Sequence, residues 1–346
     1  MKPLKPLSVA ACDRQITCAR FSPDGSVLAA GAIDGTVRRW RVGEKQLDPL
    51  PHLQGHHGWV CAVAFHPKEP RLFSADTWGQ LRCQSFADDA PQTAWQLDTA
   101  HDGWLRQIAI SPDGARLATC GRDQAVRVWT PEGKPVAEHR HTDDVFAVTV
   151  APDGQHVIFG DRHGHLHAWD FAAKRIVRMF DATVLFKIDR IQDIGGLRAL
   201  AFFGEGKLLL AAGTTPDKGA TIQSTPTLLA FDFASGALRH TFRHGGVKDG
   251  FIEDLAVHPA GHLMAVTSGN PGEGRLLQFR PQEKEAFDSA TQLPNCHAIA
   301  LHPDARRFAI ASTNRDSAGN GRRTDKEGAY PANSSPVSLF ELPAPA

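Results

Sequence analysis

The sequence of 346 residues lacks most features of membrane-bound, secreted and nucleic-acid-binding chains. Its 38 Lys and Arg residues balance 38 Asp and Glu residues, so no net charge favours a nucleic acid or a membrane surface. No apolar run approaches the length of a membrane span, and the N-terminal MKPLKPLSVAACDRQ has no continuous apolar segment typical of a secretory signal. The six cysteines form no CxxC pair and no small disulfide framework. We therefore expect a cytoplasmic chain with reduced thiols that binds neither nucleic acid nor membrane.

Catalytic sequence motifs are missing as well. The sequence contains no GxSxG nucleophile, no HExxH zinc motif, no GxxxxGK[ST] phosphate loop and no dinucleotide-binding fingerprint. A catalytic site would need a nucleophile with its base, a carboxylate dyad or a metal centre. Only a site whose residues are dispersed along the chain would escape this search.

A short motif recurs along the whole chain. FSPDG at Phe21–Gly25 returns as FHPKE, ISPDG and VAPDG, and more weakly as FFGEG, VHPAG and LHPDA, starting at residues 65, 110, 150, 202, 257 and 301. The steps between copies are 44, 45, 40, 52, 55 and 44 residues. Seven copies at this spacing predict a repeat architecture in one domain, residues 1–346, although the length alone suggests two domains.

Each copy contains the same order of elements. An alternating apolar run such as Leu105–Ile110 precedes the motif, a second run follows it, and a third such as Ala125–Trp129 comes after a short polar turn. Pro and Gly in the motif favour a tight turn between the first two runs. With a weaker fourth run, each copy predicts the four strands of a propeller blade. We therefore predict an all-β, seven-bladed β-propeller of four-stranded antiparallel blades, beginning near residues 14, 57, 102, 142, 196, 250 and 294.

The two ends of the chain are expected to close the ring. The last copy ends with the run Ser335–Leu342, which leaves its blade one strand short. The segment Lys5–Cys12 ends 22 residues before Asp34, the spacing that fourth strands show elsewhere in the chain. We therefore expect residues 4–11 to be the outer strand of the last blade, because pairing there removes an open sheet edge.

The copy HDGWLRQIAISPDGARLATCGRDQAVRVW resembles the blades of the WD-repeat family. Those blades carry a His, a Ser or Thr, a turn Asp and a Trp that form a hydrogen-bonded tetrad. The resemblance assigns these roles to His101, Thr119, Asp123 and Trp129. It is strong in the first four copies, although the second has Trp78 at the Asp position, and it rests on spacing in the last three. It implies a protein similar to stand-alone bacterial WD-repeat proteins, whose role is to scaffold other proteins without catalysis.

Three histidines in the fourth copy have two interpretations. GDRHGHLHAWD places His163, His165 and His167 at alternate positions, so an extended strand would direct all three imidazoles to one face. Imidazole binds Zn, Cu or Ni, but ligands roughly 6.5–7 Å apart along one strand converge poorly on one ion. Alternatively the blade has diverged, with His163 at the position of Asp123. We favour divergence and expect no metal and no cofactor.

One face of the propeller is the expected binding surface. Connections between second and third strands and between blades share this face, and the long insertions 180–196, 213–227 and 313–335 all fall there. Trp and Arg are enriched in interaction hot spots. We expect a protein partner to contact Trp59, Trp78, Trp104, Arg106, Arg122, Arg162, Lys187, Arg190, Arg322, Arg323 and Tyr330. The alternatives are packing of the tryptophans between blades and unselected drift of exposed loops.

A propeller enzyme is the alternative function. Hydrolases and lactonases built on propellers often hold a cation in the central channel, and its ligands would be dispersed over several blades. Asp144, Asp193, Glu253 and Asp254 lie near the starts of first strands and are candidate ligands. We expect instead a non-catalytic interaction platform, monomeric on its own.

Overall fold

The computed structural model describes residues 4–87, 89–189, 192–217, 224–269, 272–313 and 334–342. Over these residues the chain forms 29 β-strands and a single 3-10 helix, Thr183–Leu185. No helix in this part of the chain is long and apolar enough to cross a membrane. The strands form seven antiparallel sheets. The innermost strand of each sheet contacts the innermost strand of the next all the way around the ring. The predicted seven-bladed β-propeller is confirmed.

The strands follow the ring in chain order. After β1, Ser8–Ala10, the first blade contains β2 Ile16–Phe21, β3 Val27–Ala32, β4 Val37–Val42 and β5 Leu47–Leu53. The second contains β6 Val60–Phe65, β7 Arg71–Asp76, β8 Leu81–Ser85 and β9 Thr93–Leu97, and the third contains β10 Leu105–Ile110, β11 Leu117–Gly121, β12 Ala125–Trp129 and β13 Pro135–Arg140. The fourth contains β14 Val145–Val150, β15 His156–Asp161, β16 His165–Asp170 and β17 Arg175–Asp181.

The remaining blades follow the 3-10 helix. The fifth contains β18 Phe186–Asp189, β19 Gln192–Phe203, β20 Leu208–Pro216, β21 Ser224–Asp232 and β22 Leu238–Arg243. The sixth contains β23 Phe251–His258, β24 His262–Ser268, β25 Glu273–Phe279 and β26 Asp288–Pro294, and the seventh contains β27 Cys296–Leu301, β28 Arg307–Ser312 and β29 Val337–Glu341.

The fifth blade has five strands, where the sequence predicted four. The start of β19 pairs with β18 and the rest of it pairs with β20. Gly195 and Gly196 mark the change of partner with φ of 90° and 113°, values that a residue with a Cβ rarely adopts. Much of the insertion 180–196, predicted to be a loop, is therefore a β-hairpin. The insertion 213–227 likewise begins and ends in paired strand, because Pro216 pairs with Ser224.

The N-terminal strand closes the ring, as predicted. β1 pairs antiparallel with β29, with Ser8 opposite Leu339 and Ala10 opposite Val337. The strand is shorter than the predicted segment 4–11, although Leu7 also donates its backbone N–H to the carbonyl of Leu339 at 2.7 Å. Because β1 covers the outer edge of β29, the seventh blade obtains its fourth strand and the edge of that sheet is paired.

The hydrophobic core lies between the blades. Among the described residues there are seven buried clusters, and each is formed by two neighbouring blades. Inner strands are therefore buried on both faces; every residue of Val27–Ala32, for example, is buried. Complete burial of one Val, Leu, Ile or Phe side chain contributes roughly 1.5–3 kcal/mol. A blade without neighbours would lose this burial on both faces, so the stability depends on the closed ring.

Candidate functional site

The four residues assigned to a tetrad in the third blade form one chain of hydrogen bonds. Thr119 Oγ1 lies 2.8 Å from His101 Nε2 and accepts the Trp129 Nε1–H at 2.9 Å, while His101 Nδ1 lies 2.8 Å from Asp123 Oδ1. Burial lowers the pKa of His101. Burial opposes ionisation of Asp123, but hydrogen bonds from His101 and Arg127 outweigh it and hold the pKa of this carboxyl well below its usual value. A neutral imidazole thus donates its Nδ1–H to a carboxylate, and the buried polar groups satisfy one another.

In the second blade the acid comes from a different position. Asp76 ends β7, whereas the turn position of the tetrad acid is occupied by Trp78. Asp76 Oδ1 accepts the backbone N–H groups of Trp78 at 2.9 Å and Gln80 at 3.0 Å, and its Oδ2 lies 3.3 Å from His56 Nδ1. His56 Nε2 lies 2.7 Å from Ser74 Oγ. The cluster is therefore rebuilt, with its acid at the end of the second strand.

The fourth blade uses the same substitution. Asp161 ends β15, and its Oδ1 accepts the backbone N–H groups of His163 at 2.9 Å and His165 at 3.0 Å. Its Oδ2 lies 3.1 Å from His141 Nε2. The sequence aligns His163 with Asp123, and His163 does lie in that turn, but Asp161 takes the role of the acid.

A difference in the second strands could have revealed this. β7 and β15 end in Asp76 and Asp161, whereas β11 ends in Gly121. A Cβ on Gly121 would lie only 2.8 Å from His101 Nδ1, so an acid there is incompatible with the arrangement of the third blade. An Asp ending the second strand together with a non-acid in the turn is thus the sequence pattern of the rebuilt cluster.

Moving the acid leaves the turn position of the second blade free for an outward-facing side chain. Trp78 is 66% exposed and lies beside Trp59, which is 52% exposed. The rings of Trp59 and Trp104 meet edge to face with centroids 6.4 Å apart. Trp59, Trp78 and Trp104 line a depression of about 550 Å³, which we call the tryptophan groove. More than half of the Trp59 and Trp78 surface is therefore not used for packing between blades.

The predicted arginines continue this surface. Arg106 lies over the rings of Trp104 and Phe146, 5.0 and 3.8 Å from their centroids. It also lines an adjacent depression of about 430 Å³ with Arg122 and Arg162, the arginine depression. Arg122 is exposed at the surface. The structure therefore places six predicted partner residues along one continuous surface, formed by first-strand starts and by turns between second and third strands.

The other predicted partner residues are only partly described. Lys187 lies in β18, in the hairpin whose Phe186 lines the arginine depression. Arg190, Arg322, Arg323 and Tyr330 lie outside the described residues.

The acids considered as channel ligands are all ion-paired. The four contacts are Asp144 with Arg106 at 2.6 Å, Asp193 with Arg162 at 2.6 Å, Glu253 with Arg198 at 3.5 Å and Asp254 with Arg20 at 2.8 Å. A guanidinium already balances each carboxylate, and a divalent cation would have to displace it. The ion pairs of these four acids therefore do not favour the alternative function of a cation-dependent enzyme.

The described residues form a seven-bladed β-propeller, and the hydrogen-bond clusters of its second, third and fourth blades are similar to those of WD repeats. The family model "WD domain, G-beta repeat" matches residues 3–41, 47–83, 94–130 and 133–170. The first of these segments contains β1 and the first three strands of the first blade, so a repeat unit is offset from a blade by one strand. This offset explains why the first strand of the chain completes the last blade.

Curated relatives are similar over part or most of the chain. Periodic tryptophan protein 2 of Arabidopsis thaliana is 21% identical, with 86% of this chain and 39% of the relative covered. Transducin beta-like protein 3 of Rattus norvegicus is 29% identical over 45% of this chain and 21% of the relative. Target of rapamycin complex subunit wat1 of Schizosaccharomyces pombe is 27% identical over 51% of this chain and 55% of the relative.

These relatives correct one expectation. They are eukaryotic proteins, and the expected resemblance to stand-alone bacterial WD-repeat proteins is not supported. The chain spans less than two thirds of the length of each of these relatives.

Proposed function

We propose that the protein is a non-catalytic interaction platform that binds a protein partner across the tryptophan groove and the arginine depression. The observation that carries this proposal is the exposure of Trp59 and Trp78, 52% and 66%, beside Trp104 on one face. Large rigid aromatic side chains contribute much contact area at low entropic cost, and exposed apolar groups gathered in one place mark interaction sites. WD40 repeats in the first half of the chain support the proposal, as does a relative named as a complex subunit.

The arginines suit a partner that combines apolar and acidic groups. Arg106 is held in place by Asp144, with its two hydrogen bonds at 2.9 and 2.6 Å, and by the ring of Phe146. A pre-positioned side chain loses little conformational entropy on binding. Exposed Arg122 offers a guanidinium fork that matches a carboxylate in two-point contact. We place the protein in the cytoplasm as part of the same proposal, a location supported by its six free cysteines.

The test begins with affinity purification of the tagged protein from its native cell, followed by identification of co-purifying proteins. The binding affinity of the purified partner is then measured by calorimetry for the wild type and for Trp59→Ala/Trp78→Ala/Trp104→Ala. Loss of one hot-spot tryptophan costs about 2 kcal/mol, or roughly 30-fold in Kd, so we expect the triple variant to lose binding by at least that factor.

Phe287→Ala is the matched control. The exposed fraction of Phe287, 50%, is similar to that of Trp59. Phe287 precedes β26 in the connection between third and fourth strands, and this connection lies on the opposite face of the propeller. The control should bind as the wild type does, and circular dichroism should show all variants folded. Unchanged partner affinity in the folded triple variant would contradict the proposed surface.

A further inference from the structure

Three potential metal ligands meet in one turn of the fourth blade. Asp161, His163 and His165 each bring a ligand atom within 4.8 Å of the others, and no second group of this kind is found among the described residues. On one extended strand, three histidines would lie too far apart to share a metal ion. In the structure β16 begins only at His165, so Asp161 and His163 belong to the preceding strand end and turn. The turn folds the ligands together, which removes that objection.

The carboxylate of the group is held in a defined orientation. Backbone N–H groups of His163 and His165 both bind Asp161 Oδ1, at 2.9 and 3.0 Å. The other oxygen, Oδ2, lies 3.0 Å from His165 Nδ1 and also contacts His141 Nε2 at 3.1 Å. The Asp161 side chain is only 3% exposed, so its position is fixed by the fold. One oxygen with a fixed direction is therefore presented to the imidazole of His165.

A second carboxylate orients the other imidazole. His163 Nδ1 lies 2.6 Å from Asp143 Oδ2, and the His163 ring meets Phe186 edge to face at 4.7 Å. An imidazole that donates Nδ1–H to a carboxylate presents its Nε2 lone pair outward, and metal-bound histidines are usually oriented in this way. Asp143 is itself 3.6 Å from Arg162, whose guanidinium makes its shorter contact with Asp193 at 2.6 Å. Asp143 thus serves as a positioning residue for His163.

We propose that this turn binds a divalent transition-metal ion of the Zn²⁺ type through His163, His165 and Asp161. Two imidazoles and one carboxylate are a donor set that suits Zn²⁺, and three protein ligands leave the fourth tetrahedral position open. The His163 and His165 side chains are 28% and 52% exposed, so an ion reaches them from solvent. The site lies in the turn that also carries Arg162, and it therefore borders the arginine depression.

The test uses the full chain without a polyhistidine tag and with Zn²⁺ as the probe in isothermal titration. We expect one saturable site in the wild type. We expect its loss in His163→Gln/His165→Gln, which leaves Asp161 and the blade cluster intact. Asp143→Asn should weaken binding by about 10–100-fold, the usual effect of removing a carboxylate that orients a ligand.

The control is His156→Gln, which removes the His–Asp pair that His156 Nδ1 forms with Asp153 at 2.7 Å elsewhere in the same blade. This variant should bind Zn²⁺ as the wild type does. Substitution by Co²⁺ gives a second readout, because a tetrahedral N,O site produces visible absorption that the double variant should lack. Equal Zn²⁺ affinity in the wild type and the folded double variant, or no binding to the wild type, would overturn the proposal.

Discussion

The third and fourth blades share a strand order but satisfy their buried polar groups differently. In the third, Thr119 joins His101 to Trp129, and the acid lies in the turn as Asp123. In the fourth, the strand position of Thr119 is occupied by Phe159, which stacks on His167 with ring centroids 5.1 Å apart. Within the described residues, Trp169 Nε1 therefore has no hydrogen-bond partner, although the side chain is 1% exposed.

This difference separates the part of the tetrad that both blades keep from the part that only the third blade keeps. Both blades keep a carboxylate that binds the backbone of the turn and a histidine, whereas only the third keeps the link to its Trp. The acid holds the turn by several charge-assisted hydrogen bonds, and the Trp contributes mainly buried area. The fourth blade has thus lost the Ser/Thr residue while keeping an acid, and displacement of the acid leaves the turn residue free for another role.

The largest effect is expected from exchanging the position of the acid. Asp161→Gly removes the acceptor for two backbone N–H groups and for His141, and we expect it to lower the free energy of unfolding by about 3 kcal/mol. Adding His163→Asp recreates the arrangement of Gly121 and Asp123 and should restore at least half of the loss. Urea unfolding of both variants measures this, and failure of the second substitution to restore any stability would show that the two arrangements are not interchangeable.

A smaller difference is expected between the two tryptophans. Trp129→Phe leaves Thr119 without its donor, whereas Trp169→Phe removes a buried N–H that has no partner among the described residues. Because both changes delete a similar apolar area, we expect Trp129→Phe to destabilise the protein by about 1–2 kcal/mol more than Trp169→Phe. Parallel urea titrations give the two values, and equal losses would mean that the hydrogen bond contributes nothing net.

The smallest effect is a pH dependence specific to the fourth blade. Burial, and then the charge of His141, lower the pKa of His167 from 6.5 to about 4, whereas the third blade has Arg127 at this position. Below pH 6.5 the unfolded chain then binds more protons at His167 than the folded chain does. The contribution of neutral His167 to the free energy of unfolding is therefore fully present above about pH 6.5 and is lost as the pH drops toward 4.

Partial solvation of His167 reduces this effect to roughly 1 kcal/mol near pH 5. His167→Gln should flatten this part of the stability–pH profile while leaving the contribution of His139, whose pKa is also lowered by burial. Unfolding free energies between pH 4 and 7 give the comparison, and parallel profiles for variant and wild type would refute it.

The sequence predicts the fold well because the information is periodic. FSPDG and its copies mark one turn in each blade, and the spacing between copies counts the blades. The pairing of β1 with β29 was predictable from a spacing of 22 residues measured twice. The fifth strand of the fifth blade was not predictable in this way, because pairing of β18 with β19 depends on the change of partner strand at Gly195 and Gly196.

The site was less predictable, because its chemistry depends on distances across turns. His163 and His165 appeared as members of one strand, and only the structure shows that the strand begins at His165. Asp76 and Asp161 appeared as ordinary strand ends, because a linear comparison with Asp123 looks for the acid two residues later. The solvent exposure of Trp59 and Trp78 could likewise not be predicted, since the same side chains could have packed between blades.

Closure of the ring by β1 also sets an order of events during synthesis. Val9 is synthesised long before Ser338, yet the two are neighbours in one sheet. Until β29 has been translated, β1 therefore lacks its partner strand and the sheet of the seventh blade stays incomplete. Edges of this kind bind other chains readily, so we expect unfinished polypeptides to be retained by chaperones or degraded. The final pairing can therefore form only in a chain that has been translated through β29.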